Sequence, residues 1–136
     1  MVWSAAIAGL LSGCVDHSEQ SLCISYAEYV VVADAVAATD TTGATASDAS
    51  EAVEVLLGEV AQLRAVSESR YRAPIDELEE LLDDLENTLD ALVDDADYAT
   101  WEPLVDETIA DVGIADDRLR RVMNPACAAR FAESDE

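Results

Sequence analysis

The clearest pattern in the chain lies between residues 75 and 92. Ile75, Leu78, Leu82, Leu85, Leu89 and Leu92 are spaced alternately three and four apart, and the positions between them are mostly Asp and Glu. That spacing puts the apolar side chains on one face of a helix, in a seam that packs against helical neighbours at a shallow angle. Pro74 stands where it opens this helix at its first turn. The same periodicity runs upstream through Val53, Leu56, Val60 and Leu63, widened by Leu57 and Val66, and predicts a helix over residues 50–71. Asp48 followed by Glu51 resembles a capping box at its start. Downstream, Trp101, Val105, Thr108, Val112, Ala115, Leu119 and Val122 predict a helix from about Thr100 to Met123. Pro103 then falls in its first turn, Asn124-Pro125 ends it, and a short final turn holds Cys127. In residues 21–39 the stripe Leu22, Tyr26, Tyr29, Ala33 and Val36 predicts another helix, although Val30-Val31-Val32 by itself favours a strand. Thr39 to Ser47 is small, polar and β-branched, and reads as a loop. The fold class expected is all-α, with four amphipathic helices on short links in an up-down-up-down bundle.

Composition strengthens this reading and removes several functions. The chain has 136 residues, 51% of them hydrophobic, with 30 acids against 7 arginines, no lysine and a net charge of −23. The apolar fraction is too high for a disordered acidic tail. The charge repels nucleic-acid phosphates, so no nucleic-acid partner is expected. His17 is the only histidine, and there is no Cys-x-x-Cys, no glycine-rich phosphate loop and no Gly-x-Ser-x-Gly. Nearly every acid falls on a predicted solvent face, so paired-carboxylate catalysis also lacks a buried acid to work with. No enzyme activity, cofactor, resident metal or small-molecule substrate is expected.

The N-terminus supplies the most specific motif. Residues 1–13 carry no charge, Val2 to Leu11 is an apolar run, and Leu11-Ser12-Gly13-Cys14 follows. A run of this length is short of the roughly 20 residues that span a bilayer and suits the apolar region of a secretory signal. The four residues resemble a bacterial lipobox, in which a branched apolar residue and two small ones precede a cysteine; Met1-Val2-Trp3-Ser4 lacks the Lys or Arg with which such signals usually start. The resemblance implies a chain cut before Cys14, a diacylglyceryl group on that thiol, and attachment to the outer side of a cell membrane. Ala-, Val-, Asp- and Arg-rich composition without lysine is similar to that of short actinobacterial-type lipoproteins; a salt-adapted source fits it as well. If Cys14 takes the lipid, Cys23 and Cys127 remain, and one disulfide accounts for both. In the expected topology the start of the first helix and the end of the fourth share a pole, so this pair can close the bundle. The expected organisation is a signal peptide over 1–13, a tether over 14–20, the bundle over 21–131 and an acidic tail over 132–136.

This topology also sorts the charges. Arg64, Arg70, Arg72, Arg118, Arg120, Arg121 and Arg130 fall towards the disulfide pole, where they complement helix C-termini or face anionic headgroups. Asp76, Glu77, Glu79 and Glu80 start the third helix there too, so that pole is mixed; Asp34, Asp40, Asp48, Glu51, Glu54, Asp90, Asp94, Asp95, Asp97, Glu102, Asp106 and Glu107 fall towards the other pole, with no cation among them. Asp90, Asp94, Asp95 and Asp97 are the notable set: they follow the third helix at its C-terminal end, where the dipole disfavours acids. Glu79–Asp83, Glu80–Asp84 and Glu86–Asp90 add like-charge repulsion at four-residue spacing. Cations, high salt or a basic partner would relieve it. Asp95-x-Asp97 opens like a calcium loop, but Thr100 occupies the glycine position. Three readings follow. The first is a lipid-anchored, extracytoplasmic binding module whose acidic, membrane-distal pole meets a basic protein or envelope component. The second is a cation-binding surface protein. The third, with an accidental lipobox, is a cytosolic acidic adaptor with free thiols.

Overall fold

The computed structural model describes the backbone of residues 2–134 and the side chains of residues 20–128. The lipobox with Cys14, His17, Arg130 and the acidic tail lie outside the described side chains. The described chain is all-helical: α1 spans Val2–Ala38, α2 Ala46–Val66, α3 Arg72–Asp90 and α4 Tyr98–Ser134, with a 3₁₀ turn over Ser69–Tyr71 before α3. α2 packs against both α1 and α3, and α3 packs against α4; α1 and α4 meet over a shorter stretch.

The α3 seam forms the floor of the core. Ile75, Leu78, Leu82, Leu85 and Leu89 are all buried, and Leu92, just past the helix, packs against them. Val53, Leu56, Val60 and Leu63 of α2 face this seam. From α1 the buried side chains are Leu22, Cys23, Tyr26 and Tyr29. The strand preference of Val30-Val31-Val32 is overridden because only the helical stripe buries both tyrosines; Val31 remains 68% exposed.

Besides α1, whose helical backbone starts at Val2 and not near residue 21, four boundaries differ from expectation, each for a local reason. α2 starts at Ala46 and not near Ser50, because Thr45 is the N-cap: its hydroxyl accepts from the Asp48 N–H at 3.2 Å, and the Asp48 carboxylate accepts from the Thr45 N–H at 3.1 Å. The capping box is therefore Thr45–Asp48, not Asp48–Glu51. α2 ends at Val66, since Ser67 turns to extended backbone and bonds back to the Arg64 carbonyl, so Tyr71 belongs to the 3₁₀ turn. α4 begins at Tyr98, which places Pro103 beyond the first turn. Pro125 does not end α4, which runs on to Ser134. The α4 seam shifts accordingly: Ala115, Leu119, Met123 and Cys127 step by four into the core, while Val122 is 40% exposed.

The Cys23 and Cys127 sulfurs are at bonding distance, with the Cα atoms 5.6 Å apart and 104 residues between them in sequence. The pair joins α1 to α4 inside the core, where both cysteines are buried.

Candidate functional site

α4 is tied to α1 and to the α1–α2 loop at two levels. Towards the cysteine pair, the Tyr26 hydroxyl donates to Asn124 Oδ1 at 2.5 Å and the Tyr29 hydroxyl donates to Asp116 Oδ1. Arg120 extends this network, donating to Asp116 at 3.0 Å and to Asp34 at 2.9 Å. Towards the loops, the Trp101 indole N–H donates to the Ala44 carbonyl at 2.9 Å. Buried polar groups are tolerated only when bonded, and these are.

Between α1 and α4 opens a cleft of about 710 Å³. Beneath it run Leu78, Leu82, Leu85 and Leu89 of α3 with Val53 and Leu56 of α2, all but covered by their neighbours at 1–9% exposure. Its walls are Tyr29, Ala33 and Val36 on one side and Trp101, Val112 and Gly113 on the other. A Cβ added at the exposed Gly113 would meet nothing within 4 Å. Tyr98 packs edge-on against Trp101, ring centroids 5.2 Å apart, at the loop end. The rim is polar, formed by Asp34, Glu102, Asp106, Asp116, Asp117 and Arg120.

The electrostatics of the rim follow from burial and pairing. Burial, then the hydrogen bond to Asp116, pushes the Tyr29 phenol far above its ordinary range, so it stays a proton donor. Burial also raises Tyr26, with the Arg120 charge opposing. Burial would lower Arg120, but its bonds to Asp116 and Asp34 outweigh it and hold the guanidinium charged. Desolvation raises the Glu102 carboxyl, reinforced by Asp106 one turn away.

The acids singled out in sequence do not form one site. Among the described residues no three His, Cys, Asp or Glu side chains converge as metal ligands do. Asp97 is not at the tail of α3 but at the head of α4, where its carboxylate accepts from the Thr100 N–H at 3.1 Å and the Thr100 hydroxyl at 2.7 Å. That is the geometry of an N-cap, favoured by the dipole. Asp90, the last residue of α3, accepts from the buried Ser50 hydroxyl at 2.6 Å. Asp94 and Asp95 lie exposed in the α3–α4 loop, whose backbone pairs with the start of α2 through Ser47 N–H to the Asp94 carbonyl at 3.0 Å and Ala46 N–H to the Ala96 carbonyl at 2.8 Å.

Most of the described arginines are likewise engaged. Arg64 pairs with Glu79 and Asp76, Arg118 with Glu77, Arg121 with Asp117, and Arg70 with Glu68 while lying over the Tyr71 ring. The arginine-rich side is a mixed ionic surface, as expected. Asp34, expected at a pole without cations, is bonded to Arg120. The cleft itself had no sequence signal beyond the wide spacing of small residues Ala33 and Gly113 on its two walls.

Gln20–Ala38 is long and apolar enough to cross a membrane by length and composition, a test that core helices and signal sequences also meet. Comparison of the chain with protein-family models, curated proteins and solved structures finds no match in any of the three.

Proposed function

We propose that this chain is a non-enzymatic, extracytoplasmic binding module, attached to a membrane by a diacylglyceryl group on Cys14. The observation that carries the reading is the Cys23–Cys127 pair at bonding distance. Disulfides persist in oxidising compartments outside the cytoplasm. With two cysteines joined, Cys14 is the one left over, and it stands at the end of a lipobox-like motif.

The bundle reads as up-down-up-down. Packing between successive helices, the short links and the hydrogen bonds between the α1–α2 and α3–α4 loop regions all support that order. In this arrangement the lipid-bearing N-terminus and the cysteine pair share one pole. The exposed carboxylates of Asp94 and Asp95 point to the pole away from the membrane, where they would attract a basic protein or envelope component.

Fractionation of a bacterial host making the full chain tests the anchor. The wild-type chain is expected with the membranes, and a Cys14→Ser chain in the soluble extracytoplasmic fraction. Wild-type chain found soluble in the cytoplasm would overturn the reading.

A further inference from the structure

We draw no further inference here: the strongest candidate, the outward apolar face of α1 on which Ile24 and Val31 stand exposed, carries nothing, because nothing in the structure shows what covers it.

Discussion

An aspartate at the end of one helix opposes its dipole, and the same aspartate one step further on, at the start of the next, satisfies it. Asp97 is of the second kind, because α4 begins two residues earlier than its hydrophobic stripe suggests. Asp97→Ala should therefore cost about 1 kcal/mol in urea unfolding, and Asp97→Asn much less, since Asn caps nearly as well. Asp95→Asn, at an exposed loop position, should leave stability within about 0.5 kcal/mol. The Asp116 carboxylate has the opposite status, receiving both the Tyr29 hydroxyl and Arg120. Asp116→Ala strands a buried phenol and should cost about 2–3 kcal/mol, whereas Tyr29→Phe leaves Asp116 still bonded to Arg120 and should cost about 1 kcal/mol. A reversed order in denaturant titrations would mean that the network does not hold α1 to α4. None of these roles was legible in sequence, because each depends on a partner more than eighty residues away or on a boundary shifted by one turn or less.

At the level of elements, the periodic segments were legible and their ends were not. Every α3 position in the three-four pattern is buried or packed against the core, because a leucine at each step leaves no alternative face to bury. Leu82→Ala, in the middle of that seam, should cost about 2–5 kcal/mol, read from the urea midpoint. Helix ends depend on competition between caps, and Thr45 with Asp48 outcompetes Asp48 with Glu51 because both reciprocal bonds form there. Proline misled for a related reason. Pro125 lacks an N–H and disfavours helix at the residue before it, yet α4 continues, with Met123 and Cys127 buried on either side. The step of four from Leu119 to Met123 to Cys127 is the signal that a strict alternation of three and four hides.

For the whole molecule, charge and the cysteine pair dominate. Burial, then Glu54, Asp90 and Asp83, raise the Glu86 carboxyl, as burial and Asp106 raise Glu102. Both groups bind protons more tightly folded than unfolded, so the stability linked to them falls as pH rises through their folded values. Thermal unfolding should thus shift upward on mild acidification from neutrality, and Glu86→Gln should raise Tm at neutral pH and flatten that shift. Hydrogen bonds from Thr42 lower Asp40, whose contribution is lost only at more acid pH. The loop spanned by Cys23 and Cys127 covers most of the bundle, and on chain-entropy grounds its closure contributes about 4–5 kcal/mol. That pairing was legible from cysteine count together with the lipobox resemblance; the α1–α4 cleft was not, since a cavity is a failure of distant faces to meet and leaves no local pattern. The measurement that bears most directly on the account is the intact mass of the protein taken from its native membrane fraction. The account predicts a species that lacks residues 1–13, is heavier by a diacylglyceryl group and lighter by two hydrogens. A soluble, full-length species with three free thiols would contradict the anchor and the disulfide together.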